Sequence, residues 1–281
     1  MMPVTLIADG GSTKVEWCLL NGKQKKTFFT QGLSPYFLTT TQIVSIINNE
    51  LLGKLKNVEV AELFYYGTGC ANPENAKSIK SALKQNFPVA RIRVGTDLLA
   101  AARALCGRGK GIASILGTGS NSCFYNGKTI VKNSPGLGYI LGDEASGAYL
   151  GKRVIQHYLY DTFDEELRAK FDFQFTTTNV EILEHVYKKP LPNRYLAGFA
   201  LFLAENRGHY MIENIIEDGL NDFFFQHLCK YPEVWKHPVH FAGSIAFGFK
   251  DVIAQLCTSY QFDLGQILKS PMEGLLKYHK E

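Results

Sequence analysis

The strongest constraint in this sequence is a pattern that occurs twice. An apolar run at residues 4–8 enters the turn Asp9-Gly10-Gly11-Ser12-Thr13, leaves through the β-rich stretch 14–20 and closes at Asn21-Gly22-Lys23. At residues 112–116 the chain starts again. A second apolar run leads into Gly117-Thr118-Gly119-Ser120-Asn121, a β-rich stretch follows at 122–125, and Asn126-Gly127-Lys128 closes it. Asn-Gly after a β-rich stretch is a strong turn signal. Glycine hairpins also recur by chance in α/β chains, but the shared order of parts and the shared closure favour a duplicated domain. A repeat of this kind reshapes the expected fold more than any single motif.

The length of 281 residues, 46% of them hydrophobic, supports about two domains with their own cores. The expected boundaries are 1–107 and 108–262, with the last helix, within 263–281, packing back on the first domain. Helical periodicity is expected over 40–55, 98–105, 145–160, 179–187, 194–206, 210–228 and 249–256, and Asn72-Pro73-Glu74 and Pro271 open two more helices. Short strands are expected at 63–66, 91–94 and 239–242. Strands alternating with helices, together with hairpins, predict an α/β fold with mixed sheets.

Composition removes several functions. Lys and Arg number 30 against 26 Asp and Glu, with no block of like charge, so neither nucleic acid nor a membrane surface is an expected partner. The first apolar run breaks at Asp9, too early for a membrane span, and it lacks the features of a signal peptide; the expected location is cytoplasmic. Cys18, Cys70, Cys106, Cys123, Cys229 and Cys257 form no CxxC pair, and the seven histidines show no HExxH spacing.

The glycine turns carry the chemistry. Backbone N–H groups of a tight turn bind phosphate, because glycine allows close approach and positive φ. A P-loop is absent, since Gly109-Lys110 is followed by Gly111, and the first turn feeds a strand where a Rossmann motif needs a helix. Two hairpins, one per domain, instead fit a polyphosphate gripped from opposite sides. Ser12, Thr13, Thr118 and Ser120 would add hydroxyl donors to the amides of Gly10, Gly11, Gly117 and Gly119, and Lys14 either a charge or only a solvated side chain. Asp9 suits a Mg2+ ion held through water, with an ordinary turn aspartate as the alternative. Asp97, at a strand-to-helix junction, is a candidate general base or an N-cap, and the helix dipole would keep it ionised. Asp143 and Glu144 either cap a helix or bond a polar substrate, beside a second loop at Gly136 and Gly138. Gly243-Ser244 leaves room for an adenine ring.

Together these motifs resemble the sugar kinase, heat-shock chaperone and actin superfamily, and within it the N-acetylglucosamine kinase branch grouped with BadF/BadG-type ATPases. The resemblance spans nearly the whole chain. Asp9-Gly10-Gly11-Ser12-Thr13-Lys14 is similar to the family's first phosphate motif, Leu116-Gly117-Thr118-Gly119-Ser120-Asn121 to the second, and Phe241-Ala242-Gly243-Ser244-Ile245-Ala246 to the adenosine motif. It implies two ribonuclease H-like domains closing on Mg-ATP and an amino sugar, often as a homodimer. It implies that Asp97 is the base, and that Asn121, Gly136, Gly138 and Gly142-Asp143-Glu144 face the sugar. Pro35-Tyr36, Leu137 and Thr68-Gly69-Cys70 depart from the family pattern, so the sugar stays open between N-acetylglucosamine and relatives such as N-acetylmuramic acid. Two alternatives remain: an activator-type ATPase, which needs exposed cysteine ligands, and a non-catalytic sugar sensor. Relatives of the sensor kind carry a DNA-binding domain before the first phosphate motif, which here starts at Asp9.

Overall fold

The computed structural model describes the chain except residues 1–3, 12, 23, 57 and 281. It divides into two compact units, Met1–Arg108 with Pro271–Glu281, and Gly109–Ser270. The first runs β1 (Thr5–Gly10), β2 (Lys14–Asn21), β3 (Gln24–Gln31), α1 (Thr40–Glu50), β4 (Glu62–Gly67), α2 (Pro73–Asn86), β5 (Arg91–Thr96) and α3 (Asp97–Cys106). The second begins with β6 (Gly111–Leu116), β7 (Ser120–Tyr125) and β8 (Ile130–Ser134). Helices α4 (Gly138–Leu141), α5 (Gly147–Leu159), α6 (Glu165–Phe175), α7 (Asn179–Tyr187), α8 (Pro192–Gly198), α9 (Ala200–Glu205) and α10 (Tyr210–Phe223) follow. It ends with β9 (Val239–Ala242), α11 (Ser244–Gly248), α12 (Lys250–Ser259) and β10 (Leu264–Leu268), after which α13 (Met272–Lys280) completes the first unit.

Both sheets follow one plan. The order is β3-β2-β1-β4-β5 in the first unit and β8-β7-β6-β9-β10 in the second. In each, the two hairpin pairings are antiparallel and the two crossover pairings parallel. Strand for strand, the second unit repeats the first, as the paired hairpins imply.

Successive residues of a strand face opposite sides of its sheet. Leu6, Ala8, Val15, Trp17 and Leu19 therefore join Ile43, Ile47, Ile79 and Leu83 of α1 and α2 on one face. Ile7, Cys18, Leu20, Phe64 and Tyr66 join Ala100, Ala104, Leu275 and Leu276 of α3 and α13 on the other. Burial on both faces explains why Leu63-Phe64-Tyr65-Tyr66 is apolar throughout, with no alternation. In the second unit the helices between β8 and β9 build a core rich in phenylalanine, including Phe171, Phe199, Phe202, Phe223 and Phe224. Among the described residues no helix is long and apolar enough to cross a membrane.

Local expectations shift where tertiary packing overrides pattern. The helix expected over 194–206 breaks at Phe199 into α8 and α9, and the one over 210–228 ends as a regular helix at Phe223, before a wider turn. The helix expected from residue 145 starts at Gly147 with Ser146 as its cap. Strands β3, β8 and β10 lack a sequence signal because they carry mostly exposed or half-buried residues, with no apolar run.

Candidate functional site

In the first unit, the carboxyl ends of parallel strands β1, β4 and β5 gather the candidate groups. Gly10 pairs with Gly67, and Gly67 with Thr96, so Asp9, Thr68 and Asp97 emerge at one end of the sheet. That is the end at which open α/β sheets bind ligands. Thr68 N–H donates to Gly10 O at 2.9 Å, closing the turn onto β4. Gly10 is required by packing: a Cβ there would lie 2.4 Å from the buried Tyr65 hydroxyl. Gly11 N–H donates to Lys14 O, and Thr13 O accepts from Gly32 N–H, both at 2.9 Å. Lys14 is exposed, its Nζ 5.3 Å from the centre of the Phe29 ring. Ser12 lies outside the described residues.

Asp97 is the first residue of α3, and the N-cap is its neighbour Thr96, whose hydroxyl accepts from Leu99 N–H at 3.0 Å. The N-cap position expected for Asp97 thus belongs to Thr96, and Asp97 sits one residue inside the helix. Its Oδ2 accepts from the Thr68 hydroxyl at 3.0 Å and its Oδ1 from Leu98 N–H at 2.8 Å. Burial pushes the Asp97 carboxyl above the usual carboxylate range, and the Thr68 and Leu98 bonds pull against it. Burial therefore works against the ionising pull expected from the helix dipole.

Asp9 is pushed up to about 7, first by burial and then by the charges of Asp97 and Glu16, with Lys14 opposing. Crowded carboxylates of this kind suit a cation. Among the described residues no group of three or more His, Cys, Asp or Glu forms a metal cage. The hard carboxylate oxygens of Asp9, with Asp97 and Glu16 close by, are the donor chemistry that Mg2+ takes.

In the second unit three segments converge on the turn after β6. Gly147 N–H donates to Gly117 O at 2.7 Å and Ala148 N–H to Thr118 O at 3.1 Å. Asp143 Oδ1 accepts from Ser120 N–H at 3.4 Å, and Asp143 Oδ2 lies 3.0 Å from where a Cβ on Gly119 would sit. Asp143 does not cap α5; Ser146 does, accepting from Tyr149 N–H at 3.1 Å. Burial pushes the Asp143 carboxyl up, and the Ser120 bond draws it back. Gly136 approaches Ser120 O and the Asn121 side chain, whose Oδ1 accepts from Ser122 N–H and Asn133 Nδ2. Gly138 has φ +75° and opens the short α4, with no other atom within 4 Å of its Cβ direction. The Ser120 hydroxyl is buried without a hydrogen-bond partner among the described residues, whereas Thr118 is exposed.

Gly243 joins β9 to α11 at φ +124°, and a Cβ there would meet Leu116 O at 2.2 Å. That contact brings the third glycine motif against the second, and Ser244, which follows it, is exposed. A separate groove of about 680 Å³ lined by Lys77, Lys80, Lys84 and Arg91 lies at the amino-terminal end of β5.

Sequence reasoning missed Thr68 as the partner of Asp97 and missed His227, which pairs with Glu144 across 83 positions. Neither pairing has a local signal. The six cysteines are buried or half-buried, and burial pushes Cys70 up to about 11 and Cys106 and Cys257 up to about 12. Such thiols are poor candidates for the exposed ligands of an iron–sulfur centre.

No family model matches the chain, and no curated protein sequence matches it. Solved structures do. A Porphyromonas gingivalis protein carrying the provisional name N-acetylglucosamine kinase is 39% identical, with 98% of each chain covered and a TM-score of 0.94. A Chromobacterium violaceum protein with the same provisional name is 19% identical, with 98% of each covered and a TM-score of 0.75. A ROK-family glucokinase of Streptomyces griseus, in complex with glucose and AMPPNP, is 16% identical over 99% of this chain and 98% of its own, with a TM-score of 0.62. At these lower identities the similarity is one of fold.

Proposed function

This chain belongs to the N-acetylglucosamine kinase-like family of sugar kinases, with two ribonuclease H-like units, and from that premise we propose that it transfers the γ-phosphoryl group of ATP to a hydroxyl of an amino sugar. N-acetylglucosamine is the leading substrate and N-acetylmuramic acid the nearest alternative. The observation that carries the reading is Asp97. Held from both sides by Thr68 and Leu98 at the end of β5, with its carboxyl raised by burial, it is a fixed base of increased proton affinity. In this role Asp97 takes the proton of the attacking sugar hydroxyl as the new P–O bond forms.

The remaining roles follow from the turns. The turn at Gly10, Gly11, Thr13 and Lys14 would offer donors and one charge to phosphate, and so would the turn at Gly117, Thr118, Gly119 and Ser120 offer donors. Asp9 would hold Mg2+ through water, and a bound ion there neutralises phosphate charge. Gly243 and Ser244 would receive the adenosine, and Asn121, Gly136, Gly138 and Asp143 the sugar. A homodimer, as the family resemblance implies, is part of the proposal and is checked by light scattering.

The test is ADP release from Mg-ATP with N-acetylglucosamine, N-acetylmuramic acid and glucosamine, against a control without sugar. Sugar-dependent release supports a kinase; equal release in the control supports a plain ATPase. The Asp97→Asn variant should lose about 100- to 10,000-fold in transfer while still binding ATP. Retained transfer refutes the role of Asp97.

A further inference from the structure

Glu144 is held in an unusual way. The residues on either side of it, Asp143 and Ala145, both have φ of 59°, in the left-handed region that side chains other than glycine rarely adopt. Each such residue stores on the order of 1 kcal/mol or more, and the strain persists only where surrounding contacts impose it. One such contact is visible. Glu144 Oε2 lies 3.0 Å from His227 Nε2, and the two side chains are 18% and 5% exposed.

His227 reaches this position from a departure in the helix. After Phe223 the chain widens into a π-type turn, Phe224–Leu228, in which Cys229 N–H donates to Phe224 O at 3.0 Å. Wide turns of this kind cluster at functional sites. The imidazole stacks on Phe223, with centroids 4.6 Å apart and planes 18° from parallel. Its Nδ1 is buried with no hydrogen-bond partner among the described residues. A proton on Nδ1 would be a buried orphan donor, and the Glu144 carboxylate can only accept. The tautomer with its proton on Nε2, donating to Glu144, satisfies both constraints. Other charged groups near this loop include Asp143 and Lys152, with Asp222 and Arg153 around the neighbouring Tyr149.

We infer that His227 is a positioning residue for the sugar site: through Glu144 it holds the strained loop 142–145 in the conformation that sets Asp143 against the Gly119–Ser120 turn. The inference rests on the reading of Asp143 as a sugar ligand. His227 touches no reacting atom; its main effect is on sugar affinity, with a smaller one on ATP through the Gly119–Ser120 turn that Asp143 meets.

Two substitutions separate this from a role in folding. His227→Phe keeps a ring on Phe223 and removes the donor. His227→Gln places an amide nitrogen near the Nε2 position and keeps the donor. The sugar KM should rise about 10- to 100-fold in His227→Phe, the range for losing a hydrogen bond to a charged group, with ATP KM rising less than about threefold. His227→Gln should return to within about threefold of wild type. Titration calorimetry with N-acetylglucosamine, run in parallel, should show the same pattern in Kd. An unchanged sugar KM and Kd in His227→Phe, equal loss in both variants, or matching rises in sugar and ATP KM overturn the inference. Wild-type protein that binds the sugar without turnover refutes the kinase reading alone, and the Kd series then decides the role of His227. Wild-type protein that neither binds nor phosphorylates the sugar overturns both.

Discussion

Replacing Asp9 by asparagine should stabilise the ligand-free protein, and the pH dependence of the gain tests the electrostatics of the first unit. The Asp9 carboxyl stands at about 7 against 3.8 for an unperturbed aspartate, through burial and through the charges of Asp97 and Glu16. Unfolded, it ionises near the lower value; folded, it holds its proton until near the higher one. Between the two the folded chain binds more protons, so its stability falls as pH rises, and the loss levels off above about pH 7. At about 1.4 kcal/mol per pH unit, the window sets a ceiling of about 4 kcal/mol. Penetrating water and local relaxation reduce this to about 2–3 kcal/mol. Asparagine keeps the shape and never ionises, so Asp9→Asn escapes that penalty.

For a chain of this size the gain corresponds to a melting temperature about 3–5 °C higher. The assay is thermal unfolding of wild type and variant from about pH 4 to about pH 8, without nucleotide or metal. The gain should be near zero at the acid end and climb to a plateau above neutrality. A gain that does not vary with pH, or a variant less stable than wild type at pH 8, refutes the account of crowded, buried carboxylates. The same variant should lose sugar-dependent ADP release by at least about 100-fold, so stability and activity move in opposite directions.

Three more predictions concern single contacts. Gly243→Ala forces a Cβ to 2.2 Å from Leu116 O at a φ of +124°, and because the obstacle is backbone it cannot turn aside; a loss of about 3 kcal/mol or more is expected in urea unfolding, and a loss below about 1 kcal/mol refutes the packing. Thr68→Val removes the hydroxyl donor to Asp97, so burial pushes that carboxyl still higher; the acid limb of the rate profile should move to higher pH, and an unmoved limb counts against Asp97 as the base. His279, bonded to the Tyr66 hydroxyl at 2.8 Å, is held down at about 4 by burial and by Arg103, Arg93 and Arg108. The folded chain resists protonation there, so stability is lost as pH falls from about 6.5 toward 4, by about 1–2 kcal/mol once partial exposure is discounted, and His279→Gln should remove that acid sensitivity in urea titrations.

The turns and most central strands were legible because their signals are local. An apolar run, a glycine turn and a closing Asn-Gly follow one another within about twenty residues. Asp97 stood out for the same reason, at a strand-to-helix junction. The edge strands β3, β8 and β10 were not legible, because their exposed faces carry polar residues that also suit a loop. The assignment of caps shifted by a single residue at Thr96 and by three at Ser146. Such shifts change what an aspartate bonds: Asp97 holds Thr68 and Leu98, and Asp143 holds Ser120.

The sequence alone determined the duplication, the α/β class and the residues that form the turns, all of which depend on contacts between near neighbours in the chain. Only the tertiary structure decided the chemical state of those residues. Asp9 rises to about 7 because it is buried and because Asp97, at the start of α3, lies near it, and Asp97 is fixed by Thr68 from a third segment. Glu144 meets His227 only because α10 ends in a wide turn beside the loop. Desolvation and Coulomb interaction depend on distance in space, and that distance is not written in the order of the residues.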